Sequence, residues 1–154
     1  MSIKIKRVDN SLPLPRYESE GAVAFDLLAR EDALVPGGEI ALVPVNVIVQ
    51  TPPGYMLILA SRSSLPLKKG LVVPNGIGIV DQDYCGPDDE LKIQILNIKS
   101  APAQISRGER IAQGIFVKME RADWQEVPEM QSKSRGGFGS TGGYAGHLAP
   151  HIDS

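Results

Sequence analysis

The stretch Glu39-Ile-Ala-Leu-Val-Pro-Val-Asn-Val-Ile-Val49 decides the fold class. Its residues are mostly β-branched, and such side chains pack well on the pleated surface of a sheet. The nearly apolar part, residues 40–49, is too short to cross a bilayer and contains Pro44 and Asn46. The stretch therefore predicts a strand over residues 39–49 of a protein that does not enter a membrane.

Shorter runs of the same kind lie on both sides, separated by turn-forming residues. Glycine and proline number 16 and 12, together 28 of 154 residues, compared with roughly 12% in average proteins. The best candidate for a helical turn is residues 62–69, with Ser63 or Ser64 as its cap and Gly70 as its end. The other predicted strands are residues 3–8, 23–28, 55–60, 71–73, 77–80, 91–96 and 111–118. Many short strands with frequent turns predict an all-β fold, namely a sandwich, jelly roll or small barrel.

Length and charge restrict the class of function. A chain of 154 residues is long enough to bury a core as a single domain. Its formal net charge of −2 provides no basic field that would hold DNA or RNA. Any phosphate ligand must therefore be small and held by a few placed groups.

The single cysteine, Cys85, indicates a reducing compartment, because one thiol cannot form an internal disulfide. The N-terminus alternates apolar and charged residues, which is typical of a strand and not of a signal peptide. We therefore expect a cytoplasmic protein. Cys85 is either a nucleophile paired with His147 or His151, or a passive residue in a hairpin, and the passive role is favoured.

The stretch Asn75-Gly-Ile-Gly-Ile-Val-Asp81-Gln-Asp-Tyr84-Cys-Gly86 places an acid and an aromatic ring at fixed spacing in an expected β-hairpin. Two roles are open for Asp81. It could close a turn through its side chain, as Asp83 also could. Beside a phosphate, the same carboxylate could act as a general base on a water molecule.

The tripeptide Arg62-Ser63-Ser64 at the end of a predicted strand carries groups suited to phosphate. A guanidinium fork matches phosphate oxygens, and the two hydroxyls and nearby N–H groups could complete the shell. The alternative for this tripeptide is a solvated loop.

The C-terminal stretch Arg135-Gly-Gly-Phe138-Gly-Ser-Thr141-Gly-Gly is rich in glycine. Glycine permits close backbone approach, so that successive N–H groups could form an anion-binding concavity. A disordered linker would not explain Phe138. We predict a β-rich domain over residues 1–130 and a flexible, glycine-rich arm over residues 131–154, ordered only by a ligand or a neighbouring subunit.

Five stretches in one fixed order resemble the five motifs of the trimeric dUTPase family. They are Ala24-Phe25-Asp26-Leu27, Arg62-Ser63-Ser64, residues 75–86, Gly108-Glu-Arg110-Ile-Ala-Gln113 and Gly136-Gly-Phe138-Gly-Ser-Thr-Gly142. The resemblance covers about residues 3–143, and the third and fifth motifs are the most specific. Taken alone, the first and fourth are better explained as strands with a capping or paired polar residue.

The resemblance implies a jelly-roll-like subunit in a homotrimer, with three active sites formed between subunits. It implies Mg²⁺-dependent hydrolysis of dUTP to dUMP and pyrophosphate. That reaction keeps uracil out of DNA and supplies dUMP for thymidylate synthesis.

The resemblance also implies a role for each matched residue. Asp81 would orient and deprotonate the water that attacks the α-phosphorus, and Asp26 would act on the metal through water, with no direct protein ligand to Mg²⁺. The nucleoside would be contacted by Asn75, Gly78, Ile79 and Tyr84. The phosphates would be held by Arg62, Ser63, Ser64 and Gln113. The arm would close over the substrate with Arg135, Phe138, Gly139, Ser140 and Thr141.

The chain departs from the family pattern at several positions. Phe25 stands where tyrosine is usual, and the acidic residues 87–90 lengthen the return strand of the expected hairpin. The usual arginine of the fifth motif lies two positions before Arg135, where this chain has Lys133. Either cation could reach the γ-phosphate, and Arg135 is favoured for its fork. Lys92 is a further candidate for a substrate contact.

Two other functions are compatible with the same fold. A dCTP deaminase needs a carboxylate beside the pyrimidine ring to shuttle protons, but the alignment places Gln94 there, with Glu90 as the fallback. Gln94 cannot exchange a proton at neutral pH. A non-catalytic nucleotide sensor would be favoured by loss of Asp81 or of the arm, and both are present.

Overall fold

The computed structural model describes residues 1–137. It divides into two compact units, Met1–Arg121 and a second unit that begins at Ala122. The predicted boundary after residue 130 stays a prediction, because most of the predicted arm lies outside the described residues.

Within residues 1–137 the secondary structure is almost entirely β, which confirms the predicted all-β class. The strands are β1 (Lys4–Arg7), β2 (Phe25–Leu28), β3 (Ala33–Val35), β4 (Ile40–Pro44), β5 (Val47–Gln50), β6 (Tyr55–Ser61), β7 (Leu71–Val72), β8 (Ile77–Val80), β9 (Lys92–Asn97), β10 (Ala103–Ile105) and β11 (Arg110–Lys118). One short helix, α1 (Ser64–Lys69), follows β6. No helix in this part of the chain combines the length and the apolar character that a membrane span requires.

The strands form antiparallel sheets around one apolar core. The largest sheet has the order β2-β11-β6-β8, a second has the order β4-β9-β7, and two further pairs are β1-β5 and β10-β3. Side chains that point inward from these strands are fully buried, among them Leu27, Leu57, Ile95, Ile105 and Ile111. The four-stranded sheet carries three of the predicted motifs, so its register decides which of their residues meet.

The predicted single strand over residues 39–49 is wrong, because the chain changes sheets in the middle of it. β4 pairs with β9, whereas β5 pairs with β1. Between them Asn46 has a φ of 68°, a left-handed conformation that asparagine tolerates better than most residues. Asn46 is 2% exposed, and its side chain accepts a hydrogen bond from Asp9 N at 2.6 Å and donates one to Asp9 O at 3.0 Å. The β-branched pattern predicted β structure here correctly but did not reveal the turn, and Ile40 and Leu42 of β4 are 58% and 57% exposed.

The predicted helical turn is present and ends as expected. Gly70 has a φ of 68°, and its N–H donates to Pro66 O at 2.9 Å. Ser63 occupies the position before the helix, but its hydroxyl makes no capping hydrogen bond. Strands β3 and β10, which pair with each other, were not predicted, because three residues are too few to show an alternating pattern.

Candidate active site

Asp26 and Gln113 meet on the four-stranded sheet, close to Arg62. Gln113 of β11 lies opposite Asp26 of β2 on one side and opposite Ala60 of β6 on the other. Arg62 comes just after β6 and its Nε lies 2.9 Å from Asp26 Oδ1. Gln113 Nε2 donates to Ser61 O at 2.9 Å, which ties β11 to the end of β6. Residues of the first, second and fourth motifs therefore lie together.

Three residues that sequence reasoning left without a role, Arg16, Glu18 and Arg110, complete this cluster. Arg110 Nε lies 3.4 Å from Asp26 Oδ2, and Arg110 Nη2 lies 3.1 Å from Glu18 Oε2. Glu18 also pairs with Arg16 at 2.9 Å, and the hydrogen bond from Arg16 lowers the pKa of the Glu18 carboxyl. Glu18 lies before β2, outside any strand or helix, where no spacing rule links it to an arginine some ninety positions later. Only the folded chain brings the two together.

The cluster of Arg16, Glu18, Asp26, Arg62 and Arg110 carries three positive charges and two negative ones. Three minus two leaves an excess of one positive charge. Both oxygens of Asp26 face guanidinium groups, so this carboxylate orients arginines. Ser63 and Ser64 follow Arg62 directly, which places two hydroxyls beside a cationic cluster. The arrangement suits a phosphate chain.

The third motif lies on β8, the edge strand of the same sheet. β8 pairs with β6, with Gly78 opposite Leu59 and Ile79 opposite Ile58. Its other edge has no strand partner within residues 1–137. Ile77 N donates to Asn75 O at 2.9 Å and Ile77 O accepts from Asn75 Nδ2 at 3.2 Å, so the backbone groups available to a ligand are those beyond Ile77. Ile79 is 62% exposed, and Asp81 follows the strand in an exposed position.

The hairpin expected around Asp81 is not formed. The strand before Asp81 pairs with β6, and the next strand, β9, pairs with β4 and β7 in a different sheet. Residues between them form a turn in which Tyr84 N donates to Asp81 O at 3.3 Å and Cys85 N donates to Asp83 O at 3.0 Å. The chain again crosses between sheets where the sequence favoured a simple reversal.

The acidic residues that follow this turn make contacts within the chain. Asp89 Oδ2 accepts a hydrogen bond from Gly86 N at 2.7 Å. Glu90 is buried, and its Oε1 accepts hydrogen bonds from Arg30 Nε and from Asn46 N, both at 2.8 Å. These two carboxylates therefore hold the loop in place.

Two concave regions adjoin the third motif. A small notch has a volume of about 20 Å³ and is lined by Leu59, Ala60, Val73, Asn75, Gly78, Lys92, Ile93 and Gln94. A larger groove has a volume of about 360 Å³ and is lined by Tyr55, Met56, Ile79, Val80, Asp81, Gln82, Asp83, Met119 and Arg121. The notch brings the predicted base-reading residues Asn75 and Gly78 together with Lys92, and the groove contains Asp81.

Within one chain, Asp81 lies far from the cluster that contains Asp26 and Arg62. Across the four-stranded sheet, Asp26 of β2 lies in the same row of paired residues as Ile77 of β8. β8 is three strands away from β2, and Asp81 comes four residues after Ile77. Strand geometry converts this offset into roughly 20 Å. Asp81 and the cluster that contains Arg62 therefore do not meet within a single copy.

Of the predicted arm residues, Arg135 lies in the described part and is exposed. Phe138, Gly139, Ser140 and Thr141 lie outside the described residues. Their predicted contacts with a substrate therefore stay predictions.

The dUTPase family model matches residues 10–142. The chain belongs to the dUTPase family. Membership makes it an enzyme, a dUTP diphosphatase, and places its activity in nucleotide metabolism.

Relatives of the dUTPase family agree in sequence and in fold. The deoxyuridine 5'-triphosphate nucleotidohydrolase of Thermobifida fusca is 42% identical over 146 residues, which are 93% of this chain and 80% of that protein. The dUTPase of Streptococcus mutans has a TM-score of 0.72 at 31% identity, over 78% of this chain and 98% of that one. The G164S mutant of the dUTPase of Staphylococcus bacteriophage 80alpha, solved with dUpNHpp, has a TM-score of 0.81 at 26% identity, over 92% of this chain and 98% of that one.

The dUTPase notch lacks the acid that a deaminase would use. Gln94 lines the notch beside Asn75, where the pyrimidine is expected. The fallback candidate, Glu90, is buried and held by Arg30 and Asn46 N. Among residues 1–137, no carboxylate lines the notch.

Proposed function

We propose that Asp81 orients and deprotonates the water that attacks the α-phosphorus of dUTP in line, which releases dUMP and pyrophosphate. The observation that carries this proposal is the contrast between two aspartates. Asp26 faces two guanidinium groups, whereas the Asp81 carboxylate is exposed in a groove and makes no ion pair within residues 1–137. A general base must be free to accept a proton from water.

The notch and the free edge of β8 bind the nucleoside in this proposal. The N–H and C=O groups around Gly78 and Ile79 pair with the uracil edge, with Asn75 beside them. A cytosine would leave such groups unpaired, which discriminates strongly against it. Tyr84, whose hydroxyl donates to Glu90 O at 3.3 Å, lies under the deoxyribose. Lys92 contacts the substrate from β9.

The cationic cluster binds the phosphates in this proposal. Arg62 supplies the guanidinium fork, Ser63 and Ser64 supply hydroxyls, and Gln113 supplies an amide. The excess positive charge of the cluster offsets part of the charge of a triphosphate.

The donor set fits a Mg²⁺ ion that arrives with the substrate. No three His, Cys, Asp or Glu residues converge on one point within the described residues. Because its oxygens face arginines, Asp26 reaches a metal only through water. Mg²⁺ commonly keeps several waters and binds substrate phosphates, and when bound it neutralises charge on the phosphate oxygens.

The complete site forms between copies in a homotrimer. This proposal rests on the roughly 20 Å that separates Asp81 from the cluster within one chain. Neighbouring phosphorus atoms of a triphosphate are joined by single oxygen bridges, so one substrate cannot span that distance between its α- and γ-phosphates. A neighbouring copy therefore supplies the cluster.

The arm completes the site in this proposal. Phe138 stacks on uracil, and Gly139, Ser140, Thr141 and Arg135 close over the phosphates, with Lys133 as the alternative cation. The reaction takes place in the cytoplasm, where it keeps uracil out of DNA and supplies dUMP for thymidylate synthesis.

The test is Asp81→Asn, with Asp83→Asn as the matched control. The first variant loses the base, so kcat for pyrophosphate release from dUTP falls at least about a hundredfold while dUpNHpp still binds. Asp83→Asn changes an exposed carboxylate two positions away and keeps kcat within about threefold of the unmodified enzyme. Near-normal turnover by Asp81→Asn would remove Asp81 from the base role.

A further inference from the structure

Gln82 follows Asp81 directly and has no role in the reaction described so far. Its Nε2 donates to Tyr55 O at 2.9 Å and to Pro52 O at 3.4 Å. Both acceptors lie at the turn that leads into β6, where Tyr55 N also donates to Pro52 O at 3.2 Å. One side-chain amide thus ties the loop after β8 to the turn before β6.

The register explains why a side chain is needed at this position. Leu57 pairs with Val80, so a continued ladder would place Met56 opposite Asp81 and Tyr55 opposite Gln82. The ladder ends at Val80, and the Gln82 side chain supplies a donor to Tyr55 O in place of the backbone. The backbone after Val80 can therefore turn away from the sheet while Tyr55 O keeps a hydrogen-bond donor.

Asp81 is held only through its backbone. Its neighbour Val80 is fixed in the ladder, and its own carbonyl oxygen accepts a hydrogen bond from Tyr84 N at 3.3 Å. Its carboxylate is exposed and makes no ion pair within residues 1–137. The direction in which the Asp81 side chain projects thus depends on where β8 ends. Val80 fixes the backbone before Asp81, and Gln82 fixes it after Asp81.

We propose that Gln82 is a positioning residue for Asp81, because its amide ends β8 and anchors the backbone from which the base projects. This inference rests on the base role proposed for Asp81. Gln82 touches no substrate, and its effect is on the geometry between the carboxylate and the attacking water. Displacing a reacting group by about 1 Å can lower the rate by about a hundredfold.

The test replaces the amide by an apolar group of similar length. Gln82→Met lowers kcat for dUTP about tenfold or more, while KM stays within about twofold because the residues that bind uracil lie in the notch. Gln50→Met is the matched control, since Gln50 is exposed at the end of β5, and it leaves both constants unchanged. Thermal unfolding of each variant verifies that it is folded at the assay temperature. If Gln82→Met is unfolded there, Gln82→Asn, whose amide is one methylene too short for both carbonyls, takes its place with the same expected result.

A double variant separates positioning from a general structural effect. In an Asp81→Asn background, Gln82→Met causes no further loss of kcat, because it acts through a carboxylate that is already absent. A further loss as large as in the unmodified enzyme, a rise in KM without a fall in kcat, or an unchanged kcat in a folded Gln82→Met protein each overturns the inference. Failure of the base role is recognised separately, because Asp81→Asn alone would then keep near-normal turnover.

Discussion

Phe25 and Gly114 set the spacing between β2 and β11, the strands that carry Asp26 and Gln113. Phe25 is 6% exposed and packs against Tyr17 and Phe116, with ring centroids 5.9 and 5.6 Å apart. A Cβ on Gly114 would overlap the tip of the Phe25 ring. Phe25 stands where the family usually has tyrosine, and it is a core residue. Its ring occupies the space that a side chain at position 114 of β11 would need, so that position requires glycine.

Replacing Gly114 by alanine is therefore expected to destabilise the protein. Gly114→Ala forces the buried ring to move and lowers the free energy of unfolding by about 1–3 kcal/mol, as measured by urea denaturation. Gly21→Ala is the control, because an added Cβ there meets no atom within 4 Å. Equal effects of the two substitutions would contradict the close approach.

Asp9 makes stability depend on pH. Hydrogen bonds from Ser11 and from Arg107 lower the pKa of its carboxyl below the ordinary 3.8. A carboxyl with a lowered folded-state pKa stabilises the folded state above its unfolded pKa and loses that contribution as the pH falls. Asp9→Asn should therefore be less stable than the unmodified protein near neutral pH, and the difference in melting temperature should shrink below about pH 4. A difference that stays constant down to pH 2 would exclude this contribution.

At the scale of single elements, local pattern predicted some strands better than others. The bounds of β8 were predicted correctly, because its short apolar run lies between two turn signals, Asn75-Gly76 before it and Asp81 after it. The strand over residues 39–49 was wrong because the turn at Asn46 depends on Asp9 and Glu90, which are distant in sequence. The hairpin at Asp81 was wrong for a similar reason.

The same limit applies to the candidate site. Asp81, Arg62 and Gln113 were predicted as site residues because each belongs to a motif in a fixed order. Glu18 and Arg110 were left without a site role, because their ion pair is made across the fold and has no local signal. Motif order thus supplied the candidate residues, and the register of β2, β11 and β6 was needed to show which of them lie together.

The arm is the element with the most direct functional test. Truncation after Met130 removes Phe138 and the glycines proposed to close over the phosphates, so activity on dUTP is expected to fall by about a hundredfold or more. Light scattering is expected to show that the proposed trimer stays intact. Truncation after Gly143 keeps the whole fifth motif and serves as the control with normal activity. A protein ending at residue 130 that stays fully active would refute the closing role.

At the scale of the whole molecule, shared sites predict complementation between inactive copies. Arg62→Ala lacks the guanidinium group proposed to bind the phosphates, and Asp81→Asn lacks the proposed base. Each variant alone is therefore expected to be inactive in the proposed homotrimer. An equal mixture of the two variants is unfolded and refolded together. If each site takes Asp81 from one copy and Arg62 from its neighbour, both residues are intact in about one quarter of the sites. Recovery of about that fraction of pyrophosphate release is expected. Recovery indistinguishable from zero would mean that both residues act from one chain.

The free edge of β8 also bears on solubility. Ile77 and Ile79 are 47% and 62% exposed on a strand whose outer backbone groups have no strand partner within residues 1–137. Such an edge is a template onto which a foreign strand can add, and its short length and the charge of Asp81 at its end oppose that addition. In the proposed binding mode, a nucleotide along this edge would cover it. The substrate would then also protect the enzyme against aggregation, and the enzyme without nucleotide would be the form most prone to it.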